Sequence, residues 1–486
     1  MTPGLDSTTQ LDPTLESTGA SLVGDISPPN AVLGGPVAPA NHWIWGNILD
    51  IQQDMLKFHL SARRNHGDFL RVPIGRFWNF YFLAHPDDIE RVLHQPASAV
   101  NKGVFWKRLK MLLGEGLLTN DGDAWKQQRR VMQPAFHRHR HDTFARIIAK
   151  TTEEMLDRWQ PLAKSGEPFE LTEEMMRLTL QNAGLTIFGE DMSAEAKELG
   201  DALTYALEYV NVRSFRWLLP SHANQFKKSR QTLYRIIDDM IRRRREQLER
   251  GDVPTIEDVN GNNGHDLLTA LLVWKDETTG EGMSTRQLRD ELMTFIFTGH
   301  ETTAIALTWT WYMLSLHPDV ERRMHAELAE VLGGRTPTNE DLPQLTYTRM
   351  IIQETMRLYP PVWALSRQFN EAEEIRGHRV PPNVPVVVMP YVTHRHPAFW
   401  DNPEGFEPER FTPERSAGRP RYAYFPFGGG PRQCLGNHFA MMEAQLILAT
   451  VAQKYRLHAL PGHPVDVAPW VSLRPRFGLM MTLHKR

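Results

Sequence analysis

From residue 86 to about residue 360, apolar positions recur every three or four residues, the period of helices buried along one face. This predicts helices over 142–160, 171–188, 196–212, 224–250 and 265–275, with a Gly-Asp-Pro-Asn linker at 251–264. Residues 290–316 are apolar on nearly every side, which predicts a long central buried helix. His317-Pro318-Asp319 stops it and starts another, where Val320, Met324, Leu328 and Val331 keep helical spacing up to Gly333-Gly334. Strand-like runs occur near both ends. Phe69–Ile74 and Trp78–Leu83 flank Gly75-Arg76 as a hairpin, and Val384–Met389 is β-branched. Residues 393–433 are dense in Pro, Gly and Arg, and a loop this long inside a domain is usually functional. A last helix is expected over Asn437–Lys454. The fold class is mainly α with a small β region. Residues 1–40 are rich in Ser, Thr, Pro and Gly and cannot offset their ordering entropy by burial, so a disordered or loosely packed tail is expected.

Composition narrows the chemistry. The 486 residues are 41% hydrophobic and 23% charged, with a net charge of −3, so no global field favours nucleic acid or an anionic membrane. There is one cysteine, Cys434, which excludes an internal disulfide and any multi-cysteine zinc or iron–sulfur site. A lone cysteine is ordinarily a small buried hydrophobe. No Lys or Arg precedes Lys57, which fits neither a secretory signal nor a mitochondrial presequence. No apolar run reaches the ~18 residues of a membrane span. The expectation is a soluble, cytoplasmic protein without a membrane anchor.

The setting of Cys434 changes its reading. In Phe427-Gly428-Gly429-Gly430-Pro431-Arg432-Gln433-Cys434-Leu435-Gly436, three glycines allow a tight turn and close approach to a flat ligand. The cysteine lies at the mouth of the last helix, where free N–H groups favour a thiolate. Arg432 can offer charge to an anionic group, and Gly436 leaves room beside a planar cofactor. The segment resembles the haem-binding signature of the cytochrome P450 family, Phe-x-x-Gly-x-Arg-x-Cys-x-Gly, with every fixed position filled. Glu354 and Arg357, at helical i and i+3, match that family's Glu-x-x-Arg motif, and Arg410 matches the arginine completing its network.

What the resemblance implies runs from about residue 60 to the C-terminus. It implies the P450 fold, a single large triangular domain placed at 41–486, carrying haem b with Cys434 as the iron ligand. Trp125 and Arg129 match Trp-x-x-x-Arg, which with Arg432 and Arg367 would hold the propionates; Phe427 and Gly436 complete the cofactor contacts. Thr298-Gly299-His300-Glu301-Thr302-Thr303 resembles the family's oxygen-activation motif, with Thr298 where Ala or Gly is usual. Thr302 would lie beside bound oxygen, with Glu301 as its acid partner in a proton relay.

The implied reaction inserts one atom of O2 into a hydrophobic small molecule, a fatty acid, terpenoid or steroid. About fifty residues follow Cys434, too few for a flavin domain, so electrons are expected from a ferredoxin or flavodoxin with its reductase. The basic stretch His137-Arg138-His139-Arg140-His141, with Lys126 and Arg130, is a candidate docking patch or a solvated helix end. Phe105, Trp106, Phe215, Trp217, Phe295, Trp363 and Leu365 are candidate pocket residues. Val362-Trp363-Ala364 looks somewhat like the fatty-acid-hydroxylating branches. A peroxide-driven peroxygenase, a non-catalytic haem sensor and an isomerase on the same scaffold stay open as alternatives.

Overall fold

A computed structural model describes residues 35–486 apart from 40, 41, 43, 76, 77, 138, 139, 212–219, 253, 254, 258–262, 277 and 278. Helices α1 (Ile48–Gln53) and α2 (Met55–His66) lead into the hairpin β1 (Phe69–Ile74) and β2 (Trp78–Leu83). Then come α3 (Pro86–Leu93), β3 (Val100–Asn101), α4 (Val104–Leu113), α5 (Gly122–Met132) and α6 (His141–Ser165). Strand β4 (Phe169–Glu170) precedes α7 (Leu171–Ala183), and α8 (Ala196–Val210) and α9 (Pro220–Glu249) follow. The stretch read as a linker carries a small hairpin, β5 (Thr255–Glu257) with β6 (Asn263–His265), before α10 (Leu267–Val273). Its polar composition gave no strand signal, because backbone pairing needs no apolar face.

The central helix α11 (Thr285–Leu316) is opened by a capping box between Ser284 and Gln287, and Pro318 starts α12 (Pro318–Leu332). After α13 (Thr346–Leu358) come β7 (Leu365–Phe369), the hairpin β8 (Glu373–Ile375) and β9 (His378–Val380), and β10 (Pro385–Val388). The one-turn helices α14 (Pro390–Thr393) and α15 (Pro413–Ser416) punctuate the long loop. The chain closes with α16 (Asn437–Lys454), β11 (Tyr455–Ala459), β12 (Val467–Pro469), β13 (Leu473–Pro475) and β14 (Met480–Lys485).

One sheet runs β1-β2-β10-β7-β3, with β10 parallel to β2 and antiparallel to β7; a second runs β11-β14-β4. Residues 1–34 lie outside the described residues. Residues 36–38, grouped above with the tail, pack on β1: Arg71 N–H donates to Pro36 O and Ala38 N–H to Arg71 O. The helix expected over 171–188 is α-helical to Ala183 and π-helical over Gly184–Phe188. A Cβ on Gly184 would lie 2.6 Å from Glu190 O, so a larger residue would push this turn apart. No helix among the described residues is long and apolar enough to cross a membrane.

Two large cores meet along α11. Its N-terminal half, from Leu288 to Phe297, packs with α4, α8, α9 and α10. From Ala304 onward it packs with α6, α7, α13 and α16. Residues 298–303 fall in the seam between them. The Cys434 loop reaches the same seam, with Leu435 against the first core and Phe439 in the second.

Candidate functional site

The loop before α16 is bent by backbone geometry that its sequence requires. Gly428 and Gly430 have φ of 67° and 65°, and a Cβ on Gly430 would lie 2.0 Å from Leu93 O. Gly428 N–H donates to Phe425 O (3.0 Å), and Cys434 N–H donates to Phe427 O (3.1 Å). Cys434 follows the short 3-10 turn Gly430–Arg432, and Gly436 is the N-cap of α16. The Cys434 side chain is accessible yet closely surrounded by protein. That desolvation pushes its thiol up, while the Gly436 N–H and Arg129 pull it down. An accessible sulfur with an N–H donor and a cation beside it suits a metal-bound thiolate.

The loop is anchored from α13. Glu354 and Arg357 are wholly buried and paired at 2.7 and 2.8 Å. Arg357 also donates to the carbonyls of His394 (2.9 Å), Pro403 (2.6 Å) and Gly405 (2.7 Å), which uses all five of its N–H groups. Arg410 donates to Glu354 (3.2 Å), Glu407 (2.9 Å) and Asn402 O (2.8 Å). The network reaches the cysteine loop through His394, whose Nε2 accepts the Phe425 N–H at 2.9 Å. Burial, with Arg357 beside it, depresses His394 to about 3, so the ring stays neutral and can accept.

A second cluster of cations lies on the other side of the loop. Trp125 is buried on α5, with the Arg129 and Arg432 guanidinium carbons 5.6 and 4.9 Å from its ring centre. Arg129 donates to Gln433 O (3.0 Å). Arg432 pairs with Asp121 at 2.5 Å and donates to Val100 O (3.1 Å), while its Nε is buried without a partner. Arg367 on β7 is buried and donates to its neighbour's carbonyl, Ser366 O (2.8 Å). Burial, and Arg432 nearby, bring it down to about 10.

Sequence reasoning missed a fourth cation, Lys102. It is buried, donates to Leu117 O (3.0 Å) and Asn120 O, and is lowered to about 7 by burial and by Arg432. A single lysine on a loop after a two-residue strand has no periodicity to betray it. Among the described residues, Asp121 is the carboxylate paired with this group. Glu291 also faces Lys102, but burial pushes it up to about 8, so it offers little charge at neutral pH. Buried cations that outnumber their counter-charges are costly. They fit a ligand bearing two carboxylates, as haem does, beside an accessible thiol.

On α11, every residue from Asp290 to Trp311 is buried except Thr298, Gly299 and Thr302. Thr302 Oγ1 donates to Thr298 O (3.0 Å) and Thr298 Oγ1 to Thr294 O (2.8 Å), so both hydroxyls keep lone pairs toward accessible space. Glu301 points elsewhere, to Ser472 and Arg474 beyond β12. Thr303 faces Glu443 of α16, which is fully buried, held by Asn182 Nδ2 at 3.0 Å and pushed up to about 8 by burial.

Among the pocket candidates, Trp106 donates to Ser366 Oγ (3.2 Å) and Trp363 to Trp470 O (2.8 Å), which fixes both indoles. Phe295 stacks on Phe136 at 5.7 Å inside the first core, and Leu365 reaches the Gly428 turn. Phe215, Trp217 and the Phe105 side chain lie outside the described residues. Of the docking patch, Arg138 and His139 lie outside them too, and Arg140 is not a surface charge. It is buried at 5% exposure, over the Phe144 ring at 5.5 Å. Alternating with the helix start, its side chain turns inward, which composition alone cannot reveal. Lys126, Arg130 and His137 remain exposed.

The chain is similar to known proteins along most of its length. The family model for cytochrome P450 matches residues 36–479. Cyclooctatin synthase of Streptomyces melanosporofaciens is 35% identical over 444 residues, covering 90% of this chain and 93% of that protein. Cyclooctat-9-en-7-ol 5-monooxygenase of the same organism is 32% identical over 443 residues, covering 90% and 92%. Cytochrome P450 4F12 of Homo sapiens is 32% identical, covering 88% of this chain and 85% of its own. A thiol set between two cores, a cation cradle in want of carboxylates and matches along nearly the whole chain have one explanation: the chain belongs to the cytochrome P450 family, as a haem-thiolate monooxygenase of hydrophobic substrates that takes its electrons from a redox partner.

Proposed function

We propose that the chain hydroxylates a polycyclic terpenoid. The observation that carries this is its similarity, over nine-tenths of both chains, to two enzymes whose names specify cyclooctatin and cyclooctat-9-en-7-ol. Indoles held rigid by hydrogen bonds, Trp106 and Trp363, support it: a fixed apolar wall selects shape in a rigid ring system at little entropic cost.

In this reading Cys434 Sγ binds the haem iron, its charge supported by the Gly436 N–H and Arg129. Trp125, Arg129, Arg367 and Arg432, with Lys102, hold the two propionates and so orient the cofactor. Once bound, haem supplies the oxygen activation. Thr302, whose own proton goes to Thr298 O, accepts from a water at the accessible face of α11, and Glu301 is the acid of the proton supply behind it. The buried sides of α11 exclude other water. Lys126, Arg130 and His137 form a basic surface beside α5 for an acidic ferredoxin or flavodoxin.

Titrating the haem-loaded protein with cyclooctat-9-en-7-ol and with saturated fatty acids, while recording the visible spectrum, tests the substrate class. A shift of the haem band with the terpenoid, and a product heavier by one oxygen from labelled O2, is the expected result. A shift with fatty acids alone overturns it. Equal turnover with hydrogen peroxide and no reductant would favour the peroxygenase reading.

A further inference from the structure

Glu301 sits in the middle of a buried helix, 2% exposed, where a carboxylate is costly without a partner. Its partners come from the far end of the chain. Ser472 Oγ and Arg474 Nη2 both donate to Oε1, from the turn and the second strand of the β12–β13 hairpin. Arginine and carboxylate usually pair at two points. Here one oxygen takes both donors, and Glu301 Oε2 and Arg474 Nε are buried with no partner. The pair therefore fixes the carboxylate through one atom and leaves the other free.

The hairpin itself is fastened to the same face of α11. Trp309, two turns beyond Glu301, donates to Leu473 O (2.8 Å), and Leu473 N–H donates to Pro361 O (2.9 Å). Trp470 accepts from Trp363 at 2.8 Å and lies under the Arg474 guanidinium at 4.9 Å. Between them, Val471 packs against the core that holds Phe295 and Ile296. Thr302 makes its hydrogen bond back along α11, to Thr298 O. The acid and the hydroxyl next to it are thus held by different parts of the molecule.

We propose that Arg474 is the positioning residue of the proton supply: it clamps Glu301 by Oε1, so that Oε2 is the atom that takes up and passes on protons, and it ties this acid to the C-terminal hairpin. Each proton passed on from Oε2 is balanced by one taken up from solvent. The inference rests on the reading of Glu301 as the acid behind Thr302.

The test uses the haem-loaded full chain with a plant-type ferredoxin and its reductase. Hydrogen peroxide released per O2 consumed is measured with cyclooctat-9-en-7-ol and without it, so the readout survives if that compound is not the substrate. Arg474→Gln is expected to raise the released fraction and lower product per reductant by about ten-fold or more, with an enlarged solvent isotope effect. Arg474→Lys should restore most of the coupling, and Ser472→Ala should give a smaller loss in the same direction. The spectral affinity for the terpenoid should change less than about two-fold, since Arg474 is only 11% exposed and its charge is turned to Glu301. In thermal unfolding, Glu301→Gln and Arg474→Gln together should cost no more than the worse single change. If Arg474→Gln lowers thermal stability but leaves peroxide release and the isotope effect unchanged, Arg474 is structural and the proposal fails. Should that variant lose haem, wild-type coupling in Ser472→Ala would overturn it equally.

Discussion

Two groups of buried arginines flank the cysteine loop, and they are built in opposite ways. Around Glu354, Arg357 uses every N–H it has on protein acceptors, and Arg410 is nearly as fully engaged. Around Trp125, the cations Lys102, Arg367 and Arg432 crowd one another, share Asp121, and leave the Arg432 Nε without a partner. The first group is satisfied by the protein alone and therefore belongs to the scaffold. The second is satisfied only by something the protein does not contain. Buried charge is too expensive to keep for stability, so an unbalanced cluster marks a ligand site, whereas a balanced one does not.

The contrast is sharpest in stability. Arg357→Ala should cost about 3–5 kcal/mol, because it strands Glu354 and three carbonyls, and should abolish haem incorporation; thermal unfolding and haem content check this. Arg367→Met should act with opposite signs in the two states. The haem-free chain should melt higher, since a buried cation under repulsion is removed, while the loaded chain should release haem faster. A lower melting point in the haem-free variant would break the comparison.

Two glycines extend the same logic. Gly430→Ala meets Leu93 O and a positive φ, and should cost about 2 kcal/mol or more with or without haem. Gly436 has ordinary backbone and nothing closer than Phe136 at 3.8 Å. Gly436→Ala should therefore leave the haem-free chain within about 0.5 kcal/mol of wild type, and weaken haem binding in a cofactor titration.

The last contrast is in pH dependence and concerns Glu443, the acid buried beside Thr303. Its folded value of about 8 lies above the ordinary 4.5, so the folded state holds the extra proton between these values. That contribution is complete below about pH 4.5 and is lost as the pH rises toward 8. Glu443→Gln lacks the slope, so its melting temperature relative to wild type should climb steadily from pH 5 to pH 8. A constant difference would show that the acid is ionised in the fold.

The helices were legible because burial on one face imposes a period, and α11 was the clearest, being buried on almost all faces. A boundary moved where local packing intervened: the helix expected over 171–188 turns π-helical after Ala183, at a glycine lying against Glu190 O. Cys434, with the glycines and arginine before it, could be read directly because its loop is continuous in sequence. Lys102 and Arg474 could not. Each takes its role from partners that are not its neighbours in the chain, Arg432 and Glu301 respectively.

Which residues could bind a metal and carry charge was written in short-range patterns: a thiolate loop, a helical Glu-x-x-Arg pair and a Trp-x-x-x-Arg face. Which of those charges are balanced emerges only on packing. Charge balance depends on distance and burial, and these are set by the packing of α5, β7, β13 and the cysteine loop around the ends of two cores, far apart along the chain.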